Sequence, residues 1–239
     1  MNHQMNAPTP AAPSGMASWF SVWMAAVTKP NEQTFVDMAN SGNAKATTAY
    51  IWVFIGSLVS FFLASLVQGA AMRQMMQQYG ASGQFGGGGI GVRLITAVCG
   101  APIAAVISVI VFAIVVGIVQ FLAKMFGGTG TFDQLAYALA AISTPFALIS
   151  GVLSLLSAIP FIGLCFGIVS LIAGLYILVL EVIAVKGVNQ FGWGQAAGSL
   201  LLPFIVLCCC LSVGVIGVLR ILGPRISEVF NQINNSLTP

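Results

Sequence analysis

Charged side chains are scarce in this sequence. Asp, Glu, Lys and Arg together make up 5% of its 239 residues, whereas an average soluble domain has about 25%. Nucleic-acid binding needs basic side chains clustered on one face, but the eight Lys and Arg residues here are scattered along the chain and leave a net charge of only +3. The composition excludes an ordinary soluble domain and predicts no nucleic-acid partner.

Histidine is nearly absent, and the cysteines do not form a metal site. The single histidine, His3, lies in a polar, proline-rich stretch, so histidine-dependent catalysis and histidine ligation of a metal or haem have no residue to use inside the apolar segments. Cys208, Cys209 and Cys210 are consecutive, and neighbouring residues on a helix point about 100° apart, so the three thiols cannot converge on one ion. We therefore predict no catalytic residue, no cofactor and no metal site, and a protein that is not an enzyme.

Long apolar runs dominate the chain instead. Residues 134–180 form 47 consecutive uncharged positions, which is room for two crossings because a bilayer core about 30 Å thick takes roughly 20 residues of helix. Pro160 falls near the middle of this run, and proline suits the first turn of a helix rather than its interior. The run therefore predicts a transmembrane hairpin with helices at 135–156 and 160–183.

Three further uncharged runs are each long enough to cross a bilayer. They predict helices at 48–70, 94–123 and 197–222. Tyr50 and Trp52 are expected to anchor the first of these at the membrane interface, and Thr129 or Thr131 can cap the helix that begins the hairpin. The predicted fold class is an all-α polytopic membrane protein with five transmembrane helices.

A short amphipathic segment precedes the first crossing. Trp19, Phe20 and Trp23 lie in a helical pattern that is too short to cross, and tryptophan favours the headgroup level, so these three side chains are predicted to anchor an in-plane helix at the membrane surface. The chain is accordingly divided into a disordered tail at 1–15, an interfacial segment at 16–42, a five-helix membrane domain at 43–224 and a polar tail at 225–239.

Small side chains inside the predicted crossings indicate where helices can approach closely. Gly163 and Gly167 form a GxxxG pattern in the fourth crossing, and such residues bring helix backbones together where the hydrophobic effect gives no help. Their partner helix can belong to the same chain or to a second copy, and the sequence favours neither. The further predicted helix-packing positions are Ala101, Ala105, Ser150 and Ser154.

Glu181 is the one acidic residue that can lie at membrane depth. An acidic residue there is a candidate proton- or ion-binding site. A helix that begins at Pro160 reaches Glu181 after about 32 Å, which would place the carboxyl group near the far interface, on the same side as Lys186. The geometry favours a structural residue at the interface, and a proton or ion site is the alternative.

A set of short stretches occurs in a characteristic order along the chain. They are 27–30 (VTKP) followed by Phe35, 127–132 (GGTGTF), Tyr137 and Pro145 within the third crossing, and 176–185 at the end of the fourth. Together, over residues 17–222, they resemble the Yip-domain family of five-spanning membrane proteins. The resemblance implies a five-helix bundle with a cytosolic amino terminus. Eukaryotic members associate with Rab-type GTPases in vesicle traffic, often as oligomers, but this chain lacks their long amino-terminal domain and is more similar to compact prokaryotic members, so a Rab-type GTPase partner is not predicted.

Two functions follow from these observations. The first is a non-enzymatic membrane scaffold or adaptor whose partners are the lipid bilayer and other membrane proteins or a second copy of itself. The alternative is a small permease or an accessory subunit of a transport complex, because Pro102, Pro145 and Pro203 interrupt three helices and can free carbonyl groups to line a polar pocket. Lys and Arg divide four to four between the two sides, so the expected cytoplasmic amino terminus depends on the family resemblance alone.

Overall fold

The computed structural model describes residues 16–78, 90–156, 162–206 and the single residues 209, 212, 217 and 220, and it contains no strand within them. The described chain is helical throughout. Its helices are α1 (Met16–Thr28), α2 (Glu32–Asn40), α3 (Ala46–Gln78), α4 (Ile90–Met125), α5 (Phe132–Leu156), α6 (Ile162–Asn189) and α7 (Trp193–Val206).

Four of these helices are long and apolar enough to cross a membrane. The candidate spans are Ala46–Val67, Ala97–Met125, Phe132–Leu156 and Gly167–Asn189. They confirm the prediction of an all-helical, multi-pass membrane protein. The described part of α7 is apolar but shorter than a crossing, and the predicted fifth crossing at 197–222 extends beyond the described residues, so it stays a prediction.

The helix ends differ from their predicted positions because packing, and not only span length, decides where a helix stops. α6 continues past the predicted end at 183 to Asn189, since Ala184, Val185 and Val188 are buried where α6 packs on α2 and α5. The proposed turn residue Pro160 and the two predicted tails, 1–15 and 225–239, lie outside the described residues.

α3 is the central helix of the bundle, with α5 and α4 packed along it. Small residues bring α3 and α5 together: a Cβ atom added at Gly151 would lie 2.8 Å from the Ser60 Cα, and one added at Gly56 would lie 3.2 Å from the Thr144 Cγ2. The Ser60 hydroxyl donates a hydrogen bond to the Ala147 carbonyl across the same crossing. Close backbone approach and an interhelical hydrogen bond are the means by which helices associate in lipid.

The start of α5 is held by a capping box. The Thr131 hydroxyl accepts from the Gln134 backbone N–H at 3.3 Å, and the Gln134 side chain accepts from the Thr131 N–H at 2.9 Å, which satisfies two of the free donors at the helix end. The predicted cap at Thr131 is confirmed. Asp133, in the first turn of α5, accepts from the Ala46 N–H at 2.9 Å, so its carboxylate lies at the starts of both α3 and α5, where negative charge is stabilising.

α1 and α2 cover one end of the bundle, the end at which α3 and α5 begin and α4 and α6 finish. α2 begins at an Asn31 cap, whose side chain accepts from the Thr34 N–H, and it buries Phe35, Met38 and Ala39. Gln134 donates to the Ala39 carbonyl at 3.1 Å. This end, called the capped end below, contains most of the buried core and is where the candidate sites lie.

Candidate functional site

Four aromatic side chains from α1, α3 and α5 meet at the capped end. The ring centroid of Trp52 lies 6.0 Å from Trp19 and 5.7 Å from Trp23, both in edge-to-face geometry, and 4.8 Å from Tyr137. Trp52 was expected to anchor the protein at the membrane interface, and that expectation is wrong because its side chain is fully buried. Trp19 and Trp23 pack against it and attach α1 to the bundle, whereas Phe20, the third predicted anchor, is 62% exposed.

Two polar contacts tie α6 to the helices of the capped end. Lys186 forms an ion pair with Glu32 of α2, and its ammonium group also lies 4.9 Å from the ring centroid of Trp193, within the range of a cation–π contact. The Tyr176 hydroxyl donates to the Val27 carbonyl at 2.6 Å, at the end of α1. α6 therefore holds both surface helices in place.

A buried amide pair connects α4, the loop before α5 and the end of α6. Gln120 donates to the Gly130 carbonyl at 2.7 Å and to the Asn189 side-chain oxygen at 3.2 Å, and Asn189 donates to the Val185 carbonyl at 3.1 Å. A Cβ atom at Gly128 would lie 2.7 Å from the Asn189 side-chain oxygen. Gly128 and Gly130 of the GGTGTF stretch are thus required because the loop passes directly over Val188 and Asn189.

A groove of about 440 Å³ with both polar and apolar lining residues lies between α1 and α2, and Tyr137 is one of them. Lys29 and Asp37 supply one charge of each sign, and the remaining polar lining comes from Ser18, Ser21, Thr34, Ser41 and Asn43. The charged groups are exposed, so the groove is open rather than enclosed.

A second cavity, of about 370 Å³, lies among the membrane spans of α3, α4 and α5. Among the described residues, four that carry hydroxyl groups line it: Ser57, Ser108, Ser143 and Thr144. The hydroxyl oxygens of Ser143 and Thr144 are buried and have no hydrogen-bond partner among the described residues, which is costly in a medium without water. This cavity is called the hydroxyl cavity below.

Glu181 lines a third and larger cavity of about 550 Å³ between α4, α6 and α7. It lies eight residues before the end of α6 at Asn189, which corresponds to about 12 Å of helix. The residue therefore lies farther from the end of α6 than predicted, because α6 continues to Asn189. Val115 of α4 lines both this cavity, called the Glu181 cavity below, and the hydroxyl cavity.

The predicted helix-packing residues have different surroundings. Ala101 and Ala105 are buried in α4, Ser150 is exposed, and Ser154 is half-buried and donates to the Gly151 carbonyl at 2.7 Å. Gly163 is in the first turn of α6. A Cβ atom added at Gly167 would meet nothing within 4 Å. The GxxxG pattern of α6 therefore has no partner helix near Gly167 in the described chain.

Sequence analysis did not identify the small residues that join α3 to α5. Gly56 and Ser60, and likewise Ala147 and Gly151, are four residues apart. This is the same spacing of small side chains as in GxxxG, and it is the signal that could have found them. The pattern is common in apolar helices, so spacing alone does not say which pairs meet.

The described residues include no group of three or more His, Cys, Asp and Glu side chains that could hold a metal ion. The chain matches the family model of the Yip1 domain over residues 24–214, which is most of its length. This match confirms the resemblance noted from the sequence. No curated protein and no solved structure matches significantly.

Proposed function

Since the chain belongs to the Yip1 domain family, we propose that it is a non-enzymatic membrane scaffold or adaptor that binds other membrane proteins or a second copy of itself. The observation that carries the proposal is the isolation of the first half of α6. Between residues 167 and 175 no side chain is buried, whereas Tyr176 and Ile177 contact the rest of the bundle and α6 is tightly packed from Leu180 to Asn189. A helical segment with no buried side chain over more than two turns offers a surface to another helix.

The small residues of α6 support a protein partner on one face. A Cβ atom at Gly167 or at Gly174 would meet nothing within 4 Å, and residues seven apart lie on the same side of a helix. At the α3–α5 crossing, small residues of the same kind bring two helices into backbone contact. The unused face of α6 can receive a helix in the same way.

The membrane arrangement completes the proposal. α1 and α2 lie in the plane of the membrane surface at the capped end, with Phe20 and Met24, both exposed, turned towards lipid. α7 continues into a fifth crossing at 197–222, and the amino terminus is cytoplasmic. A five-spanning chain of this kind has its two ends on opposite sides of the membrane.

Replacing Gly167 and Gly174 together by leucine tests the scaffold. We expect association with partners or with a second copy to weaken about tenfold, because the new side chains prevent close helix approach, while the fold of the single chain is unchanged. Energy transfer between labelled copies in proteoliposomes measures self-association, and co-purification in mild detergent measures other partners.

The control for this experiment is Ile172→Trp, which adds bulk on the opposite side of α6, where Ile172 is 61% exposed. This variant should associate as the original protein does. The scaffold role would be contradicted if the double leucine variant associated as strongly as the original protein. It would also be contradicted if the original protein were monomeric and co-purified with no partner.

A small permease or accessory transport subunit is the second candidate, and the adjoining intramembrane cavities favour it. The Glu181 cavity and the hydroxyl cavity share the lining residue Val115. The carboxyl group of the first and the hydroxyl groups of the second are the kinds of polar group expected along a proton or ion route. If the protein conducts protons, Glu181→Gln should lower the flux at least tenfold in proteoliposomes that contain a pH-sensitive dye, because the amide cannot exchange a proton.

Asp37→Asn is the matched control for the flux measurement, since it removes an exposed carboxylate at the capped end. It should leave the flux unchanged. A proton flux no greater than that of liposomes without protein, or one unaltered in Glu181→Gln, would contradict the transport role. Neither result bears on the scaffold role.

A further inference from the structure

The Glu181 cavity combines one acidic group with walls that are otherwise apolar among the described residues. These walls include Val115, Leu178, Leu201, Pro203 and Phe204. Its volume of about 550 Å³ falls within the range of roughly 300–1,000 Å³ that small-molecule sites occupy. It lies between the candidate membrane spans of α4 and α6, where a molecule dissolved in the bilayer can reach it.

The carboxyl group of Glu181 has no partner within the described chain, with which it forms neither a hydrogen bond nor an ion pair. The two lysines on the same helices are engaged elsewhere: Lys186 pairs with Glu32, and Lys124 donates to the Thr129 carbonyl at 3.3 Å. An acidic group in apolar surroundings is costly unless a donor or an opposite charge meets it.

We propose that the Glu181 cavity binds a membrane-soluble primary amine. The ammonium group pairs with the Glu181 carboxylate, and the hydrocarbon chain packs against Val115, Leu201 and Phe204. An alcohol of the same length can donate only one uncharged hydrogen bond, and a fatty acid brings a second negative charge, so the site distinguishes the three. This binding does not depend on the scaffold role.

Equilibrium binding of radiolabelled dodecylamine to the full chain in lipid nanodiscs tests the site. We expect saturable binding of one molecule per chain, with dodecanol competing at least tenfold more weakly than unlabelled dodecylamine, because hydrogen bonds to charged groups are the stronger ones. Glu181→Gln, which keeps the side-chain shape, should weaken dodecylamine binding at least tenfold. Leu201→Trp, which fills the cavity, should abolish it.

Leu202→Trp is the matched control for cavity filling, because Leu202 adjoins Leu201 in α7, is 46% exposed and does not line the cavity. It should bind dodecylamine as the original protein does. Elution as a single species checks that each variant is folded, and Glu181→Gln decides the question if Leu201→Trp does not fold. Binding that is not saturable, that is equal for dodecanol, or that is unchanged in Glu181→Gln overturns the proposal.

Discussion

Gly151→Leu is expected to disrupt the bundle at its central crossing. Even one added carbon at position 151 would lie 2.8 Å from the Ser60 Cα, a main-chain atom that cannot move aside without displacing α3. Overpacking costs about 1–3 kcal/mol or more, and separating the helices also breaks the hydrogen bond from Ser60 to Ala147, worth about 0.6–1.7 kcal/mol. Unfolding in increasing dodecyl sulfate, followed by circular dichroism, measures the loss of stability.

Two variants make this result specific. Gly174→Leu makes the same substitution where a Cβ atom meets nothing within 4 Å, so the single chain should keep its stability. Ser60→Gly combined with Gly151→Leu should not restore stability, because the obstructing Cα remains. If Gly151→Leu were as stable as Gly174→Leu, α3 and α5 would not cross in the way described.

Trp52→Ala is the second substitution with a large expected effect. Trp52 is fully buried and contacts Trp19, Trp23 and Tyr137, so truncation leaves a cavity between α1, α3 and α5. Replacing a buried tryptophan by alanine costs about 3–5 kcal/mol. We expect α1 to separate from the bundle, and hydrogen exchange followed by mass spectrometry should show faster exchange of the α1 amides.

Phe20→Ala is the control for this prediction. Phe20 is also an aromatic residue of the capped end, but it is 62% exposed, so its removal leaves no cavity and should change neither stability nor the protection of α1. Unchanged exchange of α1 in Trp52→Ala would show that the aromatic cluster does not hold this helix.

These two predictions concern different parts of one architecture. The α3–α5 crossing is formed by small side chains and an interhelical hydrogen bond, as expected where helices associate in lipid. The capped end has the larger aromatic side chains, together with the helix caps, the ion pair of Glu32 with Lys186 and the amide pair of Gln120 with Asn189. The first half of α6 belongs to neither part, and this is why it is the proposed partner surface.

Local features of the chain could be predicted because their causes are local. An uncharged run of sufficient length must be a helix in lipid, since every backbone group needs an internal partner, and the observed spans follow from this requirement. The cap at Thr131 was predictable because its cause is also local: a capping box is formed by residues three apart in sequence. The family was recognisable because its short stretches occur in order along the chain.

The residues that were misplaced or missed depend on which helices meet. Tryptophan is a residue type typical of interfacial anchors, but α1 and α5 cover Trp52 and its side chain is buried. Gly167 and Gly151 both belong to small-residue patterns, and only Gly151 has a neighbour that would obstruct a side chain. Glu181 lies farther from the end of α6 than expected because α6 continues to Asn189, where it packs on α2.

Hydrophobicity and helix capping are properties of a segment, so the amino-acid sequence by itself determined that this protein is a helical, multi-pass membrane protein and where several of its helices begin. Helix pairing in lipid depends on the close fit of two surfaces far apart in sequence. For that reason only the tertiary structure decided that Gly56 packs against α5 and Gly151 against α3, and that the Trp52 side chain is buried. It also decided that Glu181 lines a cavity between α4, α6 and α7.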